Sequence, residues 1–314
     1  MTELLKLEPK YSTTCNVVYE KPVLDVNPEN ELETFLFYPE GVGRKGEGGL
    51  RTKGYFKAPM NLFGEQSGTS VQKPLISIIT VVFNGEQLLE KTIQSVINQT
   101  YDNVEYIIID GGSTDRTIEI IQKYEHAIDY WISENDKGIY NAMNKGISLA
   151  TGAWVNFMNG GDFFYRLDVL ESMFDKRNYH GVGVIYGNHQ VRYPSGRFRL
   201  AKSGKIENLW KGSQFCHQAS FISLNYHKQN AFNLCEKIVA DFEFFYIAWK
   251  RKVKFFRVNV TVASYESGGV SDVNRIDSIV GCWGKVDKNI KTSVFYSFKV
   301  LKESFKLVIK DVLK

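Results

Sequence analysis

Four short apolar runs alternate with amphipathic segments of helical length, and this alternation constrains the fold more than any other feature of the chain. The runs are LISIITVVF, VEYIIID, IDYWIS and AWVNFMN, separated by EQLLEKTIQSVINQ, STDRTIEIIQKYE and GIYNAMNKGISLA. Continuous β-branched runs of this length suit strands buried on both faces. In the first intervening segment Leu89, Ile93, Val96 and Ile97 share one helical face. Strand, helix and short connection in turn predict βαβ units around a mostly parallel sheet, an α/β fold.

The rest of the 314 residues divides around that core. Residues 1–73 are expected to form an extended arm or small subdomain, because eight of the 26 glycines fall between Gly41 and Gly68 and break any helical period. Gly41-Val42-Gly43-Arg44-Lys45-Gly46 matches G-x-G-x-x-G, but the following EGGLRTKG cannot open the helix that a dinucleotide site requires. A flexible connection, or a nest for an anion, is the expectation there. Residues 74–185 form the first half of the main domain and residues 186–272 the second. In that second half VIYGNHQVRYPSGRFRLA reads as a hairpin turning at Pro194-Ser195-Gly196, FCHQASFISL as a strand and IVADFEFFYIAWKRK as a helix. Residues 273–314 are expected to be a helical tail.

Composition excludes several classes. With 43% hydrophobic and 24% charged residues the chain is neither disordered nor fibrous, and a net charge of +4 is too small for nucleic-acid binding as a main role. Four scattered cysteines give no CxxC pair and point to a reducing compartment. The first residues hold no basic segment leading into an apolar one, and no apolar run reaches the ~18 residues that span a bilayer. A cytoplasmic protein, or one at the cytoplasmic face of the inner membrane, is expected.

In an open parallel sheet ligands gather at the carboxyl ends of the strands. Those ends are Phe83-Asn84, Asp110-Gly111-Gly112, Ser133-Glu134-Asn135-Asp136 and Asn159-Gly160-Gly161-Asp162. Taken singly, Asp110 and Asp115 are as easily turn and capping residues as ligands. Taken together, several polar tips on one sheet edge read as a site.

PLISIITVVFNG, YIIIDGGSTDRT, DKGIYNAMNKG and FMNGGD, in that order, resemble a family 2 glycosyltransferase with the GT-A fold, and are most similar to its bacterial capsule, O-antigen and exopolysaccharide branch. The resemblance is strong from about Pro74 to Tyr165 and looser to about Val270. It implies an inverting transferase that takes a sugar from a nucleotide-diphosphate sugar, UDP-linked by preference, to a hydroxyl of a glycan or lipid-linked glycan. Thr80, Val82 and Asn84 would line the base largely by backbone, Asp110 would accept a hydrogen bond from the base edge, and Asp115 would fix that loop. Asp136, Lys137 and Tyr140 would lie near the diphosphate and sugar.

The family's metal-binding Asp-x-Asp reads Asn159-Gly160-Gly161-Asp162 here, leaving one carboxylate. Asp162 would then bind Mn²⁺ or Mg²⁺ alone, with Asn159 on the ribose or a metal-bound water; a capping role for Asp162 is the other reading. The family's acidic pair at the start of a later helix reads Ala240-Asp241-Phe242-Glu243, which makes Asp241 the general base and Glu243 its substitute, against a first-turn acid favoured by the helix dipole. His217 would contact the diphosphate or acceptor, or be a satisfied structural residue. Tyr265 to Ser271 resembles a loop closing over the donor. Because both acidic motifs lack a partner, a non-catalytic nucleotide or glycan binder on a degraded scaffold is the alternative.

At the end of the chain Phe298, Leu301, Phe305, Val308 and Val312 form a helical stripe beside Lys299, Lys302, Lys306 and Lys310. Packing on the main domain, a homodimer contact and a peripheral contact with an anionic membrane are its three readings.

Overall fold

A computed structural model describes residues 4–24, 27–41, 43–58 and 73–312. Three short strands come first, β1 (Val17–Val18), β2 (Gly46–Gly48) and β3 (Phe56–Lys57). The expected alternation follows: β4 (Ile76–Val82), α1 (Leu89–Ile97), β5 (Val104–Asp110), α2 (Thr117–Lys123), β6 (Tyr130–Ser133), α3 (Ile139–Leu149) and β7 (Trp154–Phe157). Then come β8 (Phe163–Phe164), α4 (Val169–Phe174), β9 (Val184–Arg192), β10 (Phe198–Ala201), β11 (Ser220–Ser223), α5 (Leu224–Lys228) and α6 (Ala240–Lys250). The chain closes with β12 (Phe255–Glu266), α7 (Val270–Val273), α8 (Arg275–Lys285) and α9 (Ile290–Val312).

Ten of these strands make one sheet in the order β2-β6-β5-β4-β7-β11-β9-β12-β8, with β10 beside β9. β6, β5, β4 and β7 are mutually parallel, whereas β11 runs antiparallel to both β7 and β9. Every residue of β4 and β5 is buried. That explains their lack of alternation: helices cover both faces, and each buried Val or Ile contributes roughly 1.5–3 kcal/mol. On α1 the buried face includes the four residues expected from the sequence. The hairpin also forms where expected, with Tyr193 N–H donating to the Arg197 carbonyl and Gly196 at φ 78°.

The order β6-β5-β4-β7 reverses direction between β4 and β7. Backbone bonds hold β4 and β7 together as far as Gly160 N–H and the Val81 carbonyl (3.0 Å), and the loops that follow border the crevice where such a sheet places its ligands. Phe83 and Asn159 flank it.

The amino-terminal arm departs from its expected looseness. β2 adds antiparallel to β6, so Gly46 and Gly48 belong to the main sheet. Their glycines are required by contact: a Cβ on Gly46 would meet the Trp131 ring at 2.7 Å, and one on Gly48 would meet its Nε1 at 2.6 Å. The arm also supplies charges to the core. Arg51 bonds Glu105 at 2.6 Å, both nearly fully buried, and Lys57 lies 3.5 Å from the buried Asp129. These two carboxylates point inward from the sheet, and an unpaired buried charge of this kind costs several kcal/mol. The arm is thus a built part of the domain. The part of the glycine-rich stretch from residue 59 to 72 lies outside the described residues, as does Val42.

Candidate active site

The donor-side edge is organised around Asp110 at the end of β5. Its side chain is fully buried and accepts hydrogen bonds from Gly112 N–H (3.2 Å), Ser113 N–H (3.0 Å), Ser133 Oγ (2.5 Å) and Ser113 Oγ. A carboxylate has about four good acceptor sites; three bonds fall on Oδ2 and one on Oδ1, so Asp110 mainly shapes the loop, and one site on Oδ1 is left for the base-edge role that the resemblance implies. Asp115 is likewise committed. Its Oδ1 accepts from Thr117 N–H (3.0 Å) and Thr117 Oγ1 (2.5 Å), and its Oδ2 from Glu86 N–H (3.1 Å), stapling the α2 start to the loop after β4.

Thr80 does not line a base. It is fully buried, and its hydroxyl donates to the Met158 carbonyl at 2.7 Å, joining β4 to the end of β7. Val82 is buried, and its carbonyl accepts from Gly111 N–H at 2.9 Å. Asn84, at φ 50°, takes the Thr114 N–H on its Oδ1 at 2.9 Å. Beside it the Phe83 ring is 64% exposed, large and apolar at the mouth of the crevice.

Asp136 sits against this loop. A Cβ on Gly111 would lie 2.5 Å from Asp136 Oδ2 and 3.5 Å from the Phe83 ring, so glycine at that position admits both side chains. The other Asp136 oxygen accepts from Gly138 N–H at 2.7 Å. Lys137 is exposed at the tip before α3. From the arm, Lys45 Nζ donates to the Gly112 carbonyl at 2.7 Å. Sequence reasoning missed Lys45 as part of this edge; the only signal was the cation-bearing glycine stretch.

The second cluster lies across the crevice, and its polar atoms form a chain. Asn159 Nδ2 is 3.1 Å from His217 Nε2, and His217 Nδ1 is 3.2 Å from Asp241 Oδ2. The Asn159 amide nitrogen can only donate and the Asp241 carboxylate only accept, which assigns the hydrogen to His217 Nδ1, donating to Asp241. The Tyr140 hydroxyl is 3.2 Å from Asp241 Oδ1 and 3.1 Å from the Ile238 carbonyl. Tyr140 is therefore not turned toward a donor sugar: it is buried, and it holds Asp241. Burial pushes the Asp241 carboxyl up, but the bonds and charge from His217, with help from Phe242 N–H and Tyr140, more than offset this and leave it below the usual carboxylate value. His217 stands in a 3₁₀ turn, His217–Ala219, ahead of β11, where the sequence suggested a strand.

Asp162 closes the turn after β7. Its Oδ2 accepts from Gln218 Nε2 at 2.8 Å, and burial raises its carboxyl to about 6 although Gln218, His217 and Arg192 pull it down. Asn159 Oδ1 is buried without a hydrogen-bond partner among the described residues. Arg192 Nη2 donates to the Gly161 carbonyl at 2.7 Å and its guanidinium lies 3.8 Å from the Phe163 ring centroid, which steadies the same turn. Nothing in the sequence marked Arg192; Gln218 lay beside His217 in the quoted motif.

Glu243, the expected substitute base, is engaged elsewhere. It bonds Lys285 at 3.0 Å and takes the Asn233 amide at 3.0 Å, on the side of α6 that meets α8. Residues two apart on a helix diverge by about 200°, and here the divergence sends one to the crevice and the other to a packing contact. The segment read as a closing loop begins as the end of β12, turns at Gly268 (φ 107°) and enters α7. Side chains of Val270 and Ser271 lie outside the described ones.

Comparison with known proteins shows the family and the fold. The family model described as glycosyl transferase family 2 matches residues 77–251. A PGL/p-HBAD biosynthesis glycosyltransferase of Mycobacterium bovis is 31% identical over 206 residues, covering 63% of this chain and 80% of that protein. Among solved structures, S. aureus TarS 1-349 in complex with UDP-GlcNAc has a TM-score of 0.54 at 16% identity, over 74% of this chain and 73% of that one. A longer TarS chain aligns over 43% of its own length. The mannosyltransferase PcManGT from Pyrobaculum calidifontis, in complex with GDP-Man and Mn²⁺, has a TM-score of 0.54 at 14% identity, over 77% of this chain and 74% of that one. The fold is GT-A, and the chain belongs to glycosyltransferase family 2.

Proposed function

We propose that the enzyme moves a sugar from a nucleotide-diphosphate sugar to a hydroxyl of a glycan or lipid-linked glycan, with inversion, in cell-surface polysaccharide biosynthesis. One observation carries the reading: the Asn159–His217–Asp241–Tyr140 chain and the Asn159–Asp162 turn share the switch-point crevice. A base and a phosphate-facing turn are what displacement at an anomeric carbon needs. UDP-GlcNAc and GDP-Man in the two structural neighbours support a nucleotide-sugar donor, and a UDP-linked sugar is our preference.

In this mechanism the base moiety enters over the exposed Phe83 ring and the Gly111 backbone, on a loop held rigid by Asp110 and Asp115. Lys137 offsets phosphate charge. The acceptor oxygen bonds to the anomeric carbon from the face opposite the diphosphate, and the bond to the diphosphate breaks with its electron pair leaving on phosphate. Asp241 takes the hydroxyl proton. Positioned proton removal of this kind contributes typically about 10²–10⁴-fold, and His217 and Tyr140 fix the carboxylate for it.

A divalent cation, Mn²⁺ or Mg²⁺, fits the turn in a limited sense. Among the described residues no group of three His, Cys, Asp or Glu side chains is placed to hold one. Asp162 and the unpartnered Asn159 Oδ1 are nevertheless hard oxygen donors, and such ions are commonly held by one or two carboxylates with water and substrate phosphates completing the shell. When bound, the ion would stabilise negative charge on the departing diphosphate.

The His217–Asp241 contact favours one second reading: His217 Nε2, once a substrate hydroxyl displaces the Asn159 amide from it, is the proton acceptor and Asp241 its orienter, as in hydrolase triads. A panel of nucleotide sugars, assayed for release of free nucleoside diphosphate with Mn²⁺, with Mg²⁺ and with chelator, tests the whole proposal. Release from at least one donor, lost in Asp241→Asn, is expected. No release and no transfer, together with retained nucleotide binding, would make the protein a binder on a transferase scaffold. Loss in His217→Gln as deep as in Asp241→Asn would favour the histidine as base.

A further inference from the structure

The α9 helix is apolar on the side that faces away from the protein. Ile290, Val294, Phe298, Leu301, Phe305 and Ile309 are spaced by four, four, three, four and four, and are between 49% and 85% exposed. Thr292 and Tyr296 on the same helix are buried. With about 100° per residue, Tyr296 lies roughly opposite the centre of that stripe. The inner face is well anchored: Tyr296 stacks on Trp283 of α8 at 6.1 Å, Phe295 meets Trp210 at 5.3 Å, and Lys299 Nζ donates to the Lys211 carbonyl at 3.1 Å. Packing on the main domain therefore uses other residues than the stripe. The side chains of Val308, Lys310 and Val312, named with it in the sequence, lie outside the described ones.

We propose that this outer face of α9 lies on an anionic lipid surface. Between Ile290 and Val312 the helix carries five lysines and two acids. Lys302 and Lys306 are exposed and follow the stripe along one flank, and Glu303 is engaged by Lys306 at 2.8 Å. A second copy of the helix would present no row of carboxylates to those lysines, whereas anionic headgroups would. Phe and Leu on one face with lysine at its border is the pattern of a helix lying in the membrane interface. No helix of the described residues is long and apolar enough to cross a membrane, so the contact is one of lying on the surface.

α9 rests on α8, and Lys285 of α8 bonds Glu243 of α6, so the proposed surface contact lies on the helical layer next to α6.

Sedimentation of the full chain with vesicles tests this. Vesicles of phosphatidylcholine with phosphatidylglycerol should carry the protein down, and phosphatidylcholine alone should carry little. The triple variant Phe298→Ser, Leu301→Ser, Phe305→Ser should lose binding by at least about tenfold while keeping its circular dichroism, because these side chains touch solvent. Lys302→Glu with Lys306→Glu should weaken binding and flatten its salt dependence. Full chain left in the supernatant with anionic vesicles, or equal binding by the triple variant, would overturn the proposal. So would a dimer in vesicle-free ultracentrifugation that the triple variant converts to monomer, since the stripe would then belong to a second copy.

Discussion

The two sides of the crevice are built on opposite hydrogen-bond accounting. On the donor side, Asp110 and Asp115 spend their acceptors on neighbouring backbone and hydroxyl groups. On the far side, Asn159 keeps a buried oxygen without a partner among the described residues, and Asp162 holds a carboxyl raised to about 6 by burial. Groups held by loop backbone and hydroxyls make a rigid frame; we place binding and proton transfer where a buried oxygen lacks a partner or a carboxylate is paired with histidine. A carboxylate at a strand end is therefore not by itself a ligand, and what its neighbours donate decides which it is.

The largest expected effect falls on the reactive side. Asp241→Asn should lower turnover by about 10²–10⁴-fold with little change in donor affinity, read by steady-state kinetics beside calorimetric binding of the nucleotide. Near-normal turnover would break the comparison, because the far side would then be frame as well.

Asp110→Ala tests the frame. It strands the Gly112 and Ser113 N–H groups and two serine hydroxyls. Each buried donor left unpaired costs about 1–3 kcal/mol, so a total loss of about 3 kcal/mol or more is expected in chemical denaturation, with weakened nucleotide binding. Loss of binding without loss of stability would instead return Asp110 to the role of ligand.

Asp162→Asn should remove activity yet stabilise the metal-free protein. Burial raises the native carboxyl to about 6, against about 3.9 for an unfolded aspartate. Below about 4 both states are protonated and the residue costs nothing; as pH rises toward 6 the unfolded chain ionises first, and the native state is penalised from there upward. The variant should gain roughly 2–3 kcal/mol at pH 7 and about nothing near pH 3.5, by thermal denaturation at both values. A loss at pH 7 would show that the carboxylate is well solvated or paired.

The smallest effect belongs to Glu243→Gln. It should leave turnover within about twofold and cost at most about 1 kcal/mol, because it removes one charge from a partly exposed pair with Lys285. A deep loss of turnover would place Glu243 in the chemistry after all.

Much of this was legible in sequence. Strands β4 and β5 fall where the apolar runs lie, and Asn159, His217 and Asp241, which bond one another in turn, all stand in motifs visible in the sequence. What stays hidden is which partner a polar side chain finds. Thr80, Asp110 and Tyr140 are types that suit a substrate, and nothing local announces that Met158, Ser133 or Asp241 bonds them. The glycine-rich arm was read as loose because its glycines disfavour regular structure, whereas Gly46 and Gly48 are small to admit the Trp131 ring.

By itself the sequence determined the strand–helix alternation and the tips where chemistry gathers, because side-chain periodicity is a local property that each segment carries alone. Tertiary structure alone decided which polar atoms stay unpaired, that Asp241 meets His217 while Glu243 meets Lys285, and that the apolar stripe of α9 points outward. Those outcomes depend on partners brought from distant parts of the chain, and burial and hydrogen bonding exist only once the partners meet.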